Sequence, residues 1–216
     1  MAPRGSALAQ AKVILSRCLV EIRTLKETDK ALYSELWRNA LVEQDEYFRI
    51  SIEDEPSPQI QTKFTSDSFT LGAFINSSLV GTVSIERDLR TKLKHKALLF
   101  RMFVHASVAG RGVGKALVKE AISRAKCIQG LKQLYLTVLD INERAIHLYT
   151  SLGFETFSHE LESVKIKTKF VGELQMTYSI ITPKETLILP CGRSAAPADS
   201  NAPNLSPRCI GQQPSL

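Results

Sequence analysis

The sequence predicts an α/β domain, and two observations carry that prediction. Apolar runs of strand length alternate with stretches whose apolar residues recur at helical spacing. The two patterns meet in one stretch, Leu98 to Leu117, where a strand passes through glycines into a helix. The chain has 216 residues, 44% of them hydrophobic, which suits one domain with a substantial core.

Taken in order, Leu19–Leu25 is predicted as the first strand. Thr28 or Asp29 is placed to cap a helix whose apolar stripe is Ala31, Leu32, Leu36, Trp37 and Ala40. Residues 43–65 are acidic and polar, with Glu53, Asp54, Glu55, Pro56 and Pro58, and read as a loop with room for a short helix. An acidic loop can draw in a cationic substrate; a solvated connection is the plainer reading. Phe69–Ile75 and Leu79–Arg87 form a hairpin around Asn76, Ser77 and Ser78. A basic turn, Thr91–Lys96, leads into a strand at Leu98–Val104.

After the glycines a helix runs to Lys126, with Val113, Leu117, Val118, Ala121 and Ile122 on its apolar face. Leu134–Leu139 alternates as a strand does. Asn142 is a good N-cap, and Glu143 adds negative charge to the first turn. Ala145, Leu148, Tyr149 and Leu152 form one face of that helix, and Gly153 suits the left-handed position that ends it. Phe154 begins another strand, and Glu173–Tyr178 supplies the last.

The two ends differ in kind from this body. Residues 1–18 hold Arg4, Lys12 and Arg17 with no acid; they lack a signal-peptide pattern and are predicted to be a flexible extension. Residues 183–216 contain six of the nine prolines and no aromatic residue, a composition that predicts disorder. The formal charge is +6, of which three belong to the first eighteen residues and one to the tail. The body keeps a small excess, which argues against nucleic acid as a partner. No apolar run is long enough to span a membrane. Cys18, Cys127, Cys191 and Cys209 are far apart with no metal-ligand spacing, as expected of reduced thiols in a cytoplasmic protein that holds no metal.

Gly110, Gly112 and Gly114 stand between a strand and a helix N-terminus, an arrangement suited to an anion. Glycines let main-chain N–H groups approach a phosphate, and the first helical turn has unpaired N–H groups at a positive dipole end. Two familiar phosphate motifs fail on spacing. Ala109 stands where a Walker A loop needs its first glycine, and Ala116 where it needs Ser or Thr. Lys115 occupies the last glycine of a dinucleotide fingerprint. What fits is Ala109-Gly110-Arg111-Gly112-Val113-Gly114 after a strand, followed by L-x-V-x-x-x-N-x-x-A-x-x-L-Y-x-x-x-G-F over Leu134–Phe154.

In that order and at that distance, the two motifs resemble the coenzyme A loop and second conserved motif of the GNAT superfamily of N-acetyltransferases. The resemblance spans about residues 19–182. It implies the GNAT acyl-CoA N-acyltransferase fold: a mixed, mostly antiparallel sheet of six to seven strands with helices on both faces. Leu98–Val104 and Leu134–Leu139 would splay apart into a cleft for acetyl-CoA. The pantetheine arm would pair with the main chain of Met102, Phe103 and Val104. The Met102 N–H would polarise the thioester carbonyl. The pyrophosphate would take main-chain N–H groups of Gly110, Arg111, Gly112, Val113, Gly114 and Lys115, with Asn142 beside the cofactor. Arg111, Lys115 and Arg144 are able to meet phosphate oxygens, and an ordinary solvated charge is the alternative for each.

By the same resemblance, Tyr149 is the tyrosine near the sulfur, able to protonate the leaving thiolate. The positions at which relatives carry a glutamate base are Leu98 and Thr137 here. A base therefore comes from elsewhere (Glu86, His105 or Glu46 by way of water) or is absent. A lysine-like amine costs roughly 4–5 kcal/mol to neutralise at pH 7. The expected activity is acetyl transfer from acetyl-CoA to a primary amine, of a small molecule or a protein, by direct attack in a ternary complex. The alternative is a non-catalytic acyl-CoA-binding regulatory module. Acceptor specificity would lie in residues 31–65 and 157–171, and oligomeric state, a homodimer included, stays open.

Overall fold

A computed structural model describes residues 11–15 and 18–180, with side chains from Val20 onward. The tail from Pro183 and the first ten residues lie outside the described residues.

The body is one twisted sheet with helices on both faces. Its strands are β1 (Ala11–Leu15), β2 (Cys18–Thr24), β3 (Ser68–Ile75), β4 (Ser78–Arg87), β5 (Lys96–Val104), β6 (Gln133–Leu139), β7 (Glu155–Ile166) and β8 (Lys169–Ser179). Its α-helices are α1 (Lys30–Glu43), α2 (Val113–Lys126) and α3 (Glu143–Ser151). The sheet order is β1-β2-β3-β4-β5-β6-β8-β7. Every neighbouring pair is antiparallel except β5 and β6. This is the expected mixed architecture with one strand more than the six to seven predicted. The extra strand, β1, comes from the segment read as an extension, and it pairs with β2 along its whole length.

The β3–β4 hairpin closes through Asn76 and Ser77, with φ of 47° and 67°. Two consecutive left-handed residues make the tight turn whose twist matches antiparallel strands. Along β3, alternate residues face opposite sides. Phe69, Leu71 and Ala73 join the core under α2 and α3, while Phe74 joins a second core under α1. The predicted α2 face is fully buried, Val113, Leu117, Val118, Ala121 and Ile122 together with Ala125.

Helix α1 corrects the predicted stripe. Its buried residues are Tyr33, Leu36, Trp37, Ala40 and Leu41, whereas Ala31 and Leu32 face solvent. The buried set follows helical spacing as strictly as the predicted one, but it is rotated to bring the two aromatic rings onto Leu25, Phe74 and Phe103. Asp29 precedes this helix without capping it. Its carboxylate instead accepts the Lys26 N–H at 2.7 Å and a forked pair of bonds from Arg23 at 2.7 and 2.8 Å. The Arg23 bonds are the main reason its pKa lies below the ordinary carboxylate value.

Candidate active site

The cleft arises from a pairing that stops early. Strands β5 and β6 are in register only at Lys96–Gln133, Ala97–Leu134 and Leu98–Tyr135. Beyond Leu98, β5 stays on β4 and β6 stays on β8, so the two parallel strands part. A bulge in β5 adds to this, since Val83 alone lies between the pairs Thr82–Phe103 and Ser84–Phe100. Arg101, the extra residue, has φ of 50°, and its carbonyl accepts a 3.3 Å bond from the Thr82 hydroxyl. A bulge re-aims the chain and frees ladder groups, here at Met102 beside the opening.

The opening is a cavity of about 1130 Å³. Met102, Phe103 and Val104 form one wall. Gly110, Gly112, Val113, Gly114 and Lys115 form its floor at the start of α2, and Asn142 and Tyr149 line it from α3. Of the residues expected to bind the cofactor or protonate the thiolate, Arg111 alone does not line it. Gly110 and Gly112 have φ of 75° and 83°, the left-handed region that favours glycine, and Gly112 is the residue that enters α2. A Cβ on Gly114 would stand 3.1 Å from the Met102 methyl group, so the helix start and the bulged strand approach closely there.

Asn142 caps α3 as expected: its side-chain oxygen accepts the Ala145 N–H at 3.1 Å. That carboxamide oxygen is committed to the helix, which fixes the direction in which α3 presents Tyr149. The Tyr149 ring is buried, at 6% exposure, and packs edge-on against Phe154 with centroids 5.6 Å apart. Burial pushes the phenol's pKa up, because a phenolate would lose its hydration. The Tyr149 phenol therefore keeps its proton across the neutral range.

None of the three bases considered from the sequence lines the cavity. Glu86 pairs across the ladder with Leu98 and faces Lys63 at 3.7 Å. His105 uses Nδ1 to accept the Ser107 N–H at 3.2 Å. Glu46 sits on an exposed 3-10 turn at Asp45–Tyr47. The carboxylates that do line it are Asp54, Glu55 and Glu173. Asp54 accepts bonds from the Ser51 N–H and hydroxyl at 2.9 and 3.1 Å. Glu55 accepts a 2.5 Å bond from Arg101. Glu173, on β8, is 3% exposed, and its Oε1 has no hydrogen-bond partner. Arg49 Nη1 stands 3.4 Å from that oxygen, an ion-pair distance without hydrogen-bond geometry.

Arg101 ties the acidic loop to the bulge. Besides Glu55, it donates to the Tyr33 hydroxyl at 3.1 Å and to the Gln59 carbonyl at 3.2 Å, and its guanidinium lies 5.2 Å from the Trp37 ring centre. Burial alone would lower its pKa; the bonds to Glu55 and Tyr33 outweigh that and hold it charged. Replacing Arg101 with Met leaves Glu55 unpaired and the loop untethered. The expected result is a loss of about 2–4 kcal/mol in urea unfolding, with KM for an amine rising more than the Kd for acetyl-CoA. Unchanged stability in Arg101→Met would remove the tether from this account.

Neither Arg101 nor Glu173 was recognised from sequence. A usable signal existed for the first: one cation inside the apolar run Leu98–Val104 requires a buried partner. For Glu173 there was none, since an acid within a strand reads as solvent-facing by default.

Comparisons with known proteins bear on the same segments. The spermidine N(1)-acetyltransferase of Vibrio cholerae is 26% identical over 93 residues, 43% of this chain and 52% of that protein. The spermine/spermidine N(1)-acetyltransferase of Bacillus subtilis is 34% identical over 64 residues, 30% of this chain and 41% of that protein. The chain thus spans about half the length of the curated relatives it matches. A GNAT-family acetyltransferase of Streptococcus pneumoniae, 25% identical, superposes with a TM-score of 0.68 over 74% of this chain and 99% of its own. The family model described as "Acetyltransferase (GNAT) family" matches residues 30–154, which include α1, the bulged strand, the glycine turn and the helix bearing Tyr149. With that match over more than half of its length, the chain belongs to the GNAT family of acetyltransferases.

Proposed function

We propose that this protein is an acetyl-CoA-dependent N-acetyltransferase acting on a primary amine, with polyamines as the first acceptors to examine. The observation that carries this reading is the single cavity that joins the bulged edge of β5, the glycine start of α2 and Tyr149. Acetyl-CoA supplies an electrophilic thioester carbonyl and a thiolate leaving group. The chain supplies the rest. Main-chain N–H groups of Gly110 and of residues 112–115 would receive the pyrophosphate, the Arg111 N–H being held by the Val108 carbonyl at 3.3 Å, and the Met102 N–H would face the carbonyl oxygen. Tyr149 holds a proton at its phenol oxygen, where a leaving sulfur would need one.

The acceptor class is supported by charge. Asp54, Glu55 and Glu173 line the cavity beside Arg49, Arg101, Lys115 and Arg144, and of the three carboxylates Glu173 alone has a buried oxygen without a hydrogen-bond partner, which suits an acceptor ammonium. Two relatives matched over part of their length are named as acting on spermidine and spermine. A cytoplasmic setting accords with the reading, and Cys127 is an exposed free thiol.

The test is CoA release from acetyl-CoA in the presence of spermidine, spermine, putrescine and a peptide with a free N-terminal amine. Turnover with a polyamine, one acetylated product per CoA released, is expected. Saturable acetyl-CoA binding without turnover on any amine would instead support the non-catalytic acyl-CoA-binding module. Leu98 and Thr137 at the base positions motivate that second reading.

A further inference from the structure

Glu173 is the one carboxylate of the cavity whose buried oxygen has no partner. Asp54 is satisfied by Ser51 and Glu55 by Arg101. Removing a charged oxygen from water without a hydrogen bond is destabilising, so such a group is retained where something outside the chain completes it. Its setting fits that purpose. Glu173 lies opposite Leu139 of β6 in register, four residues beyond Tyr135, on the stretch where β6 has left β5. Its side chain is 4% exposed. Among the described residues its one ion-pair partner is Arg49, which comes from the loop after α1 with a side chain 59% exposed. A half-solvated arginine at 3.4 Å is a weakly held counter-ion that can move aside at little cost. Trp37 lines the same cavity, and its indole N–H is likewise buried without an acceptor.

We propose that Glu173 is the catalytic carboxylate of the acceptor site: it receives the acceptor's ammonium in place of Arg49 and takes its proton. This rests on the N-acetyltransferase reading above. In the step, an N–H bond of the ammonium breaks, an O–H bond forms at Glu173, and the lone pair stays on nitrogen, which is then nucleophilic. The carboxylate lies on β8, away from the two strand positions, Leu98 and Thr137, at which the resemblance led one to look. The charged groups that face it are Arg49 on the loop and Glu160 opposite it on β7, and Arg144, His147 and Tyr149 of α3 line the same cavity. The substrate class follows from the same features: a primary amine, protonated in solution, whose ammonium completes Glu173.

The experiment compares the full chain with Glu173→Gln, acetylating spermidine and butylamine from pH 6 to 9.5. Calorimetric titrations with acetyl-CoA, and with spermidine on CoA-loaded protein, run beside it, as do thermal midpoints. The expected loss in kcat/KM is 10²-fold or more at pH 7, with the acetyl-CoA Kd within twofold and the thermal midpoint unchanged or raised. Without the carboxylate only amine already neutral in solution reacts. The variant's rate therefore climbs about tenfold per pH unit below the amine's own pKa of roughly 10, and its gap to the parent narrows. Spermidine binding is expected to weaken in parallel. A variant within threefold of the parent overturns the proposal, and so does an equal loss at every pH with a lowered midpoint. A parent protein that binds acetyl-CoA but neither binds nor acetylates either amine also overturns it. A parent that does not bind acetyl-CoA overturns the acetyltransferase reading itself, and this assignment with it.

Discussion

Gly114→Asp is expected to weaken acetyl-CoA binding at least 100-fold while leaving the domain folded. Two effects separate cleanly at this position. For the fold, Gly114 lies in the first turn of α2 with ordinary helical backbone, since its φ is not among the positive values. An acidic residue in a first turn complements the helix dipole by a few tenths of a kcal/mol. The new Cβ meets the Met102 methyl at 3.1 Å, the far end of a flexible side chain that can yield. For the ligand, the same carboxylate would stand at the N–H groups proposed to receive the pyrophosphate, both occupying them and repelling the second anion. The affinity for acetyl-CoA is expected to fall at least 100-fold by calorimetry, with a thermal midpoint within a few degrees of the parent. Gly114→Ala, which adds only the methyl, separates crowding from charge and is expected to lose far less. Retained affinity in the Asp variant would move the pyrophosphate away from the start of α2.

Those features were legible because they are local. Glycines at alternate positions between a strand and a helical pattern state their own backbone requirement, and Gly110 and Gly112 adopt the left-handed angles that only glycine takes readily. The N-cap at Asn142 and the left-handed Gly153, with φ of 93°, are local in the same sense. The cleft itself could be anticipated only through resemblance, because nothing in either strand states that their pairing ends at Leu98 and Tyr135. Helix α1 shows a different failure. Both its predicted and its observed stripes obey helical spacing, and what decides between them is whether Tyr33 and Leu41 or Ala31 and Leu32 meet the sheet. That choice belongs to Phe74, Leu79 and Phe103, residues on other elements. Strand β1 was missed because five residues of an edge strand carry little pattern. Glu173 was missed because burial of an acid is decided by what surrounds it, here β6 on one side and an arginine from a distant loop.

Tyr149→Phe is expected to lower kcat about 10²-fold or more and to change acetyl-CoA affinity by less than about threefold. The ring and the hydroxyl serve different ends. The ring fills core space against Phe154, and phenylalanine keeps it, so the thermal midpoint of the variant stays close to the parent's. Only the proton donor is removed. Burial holds the phenol's pKa above its ordinary value, and the sign of that shift sets the pH behaviour. A group whose pKa is raised on folding binds its proton more tightly in the native state, so its stabilising contribution is complete below the unfolded value of about 10 and is lost as pH rises above it. Tyr149 therefore stays protonated throughout the range in which an acetyltransferase can be assayed, and it contributes no basic limb to the pH–rate profile. The Phe variant is accordingly expected to show the parent's profile at a uniformly lower rate, and to resist alkaline unfolding slightly better. This contrasts with Glu173→Gln, whose deficit shrinks as pH rises, so the two variants distinguish the donor from the base by the shape of one plot. A Tyr149→Phe kcat within threefold of the parent would return the thiolate's protonation to solvent and leave Tyr149 as a packing residue of α3.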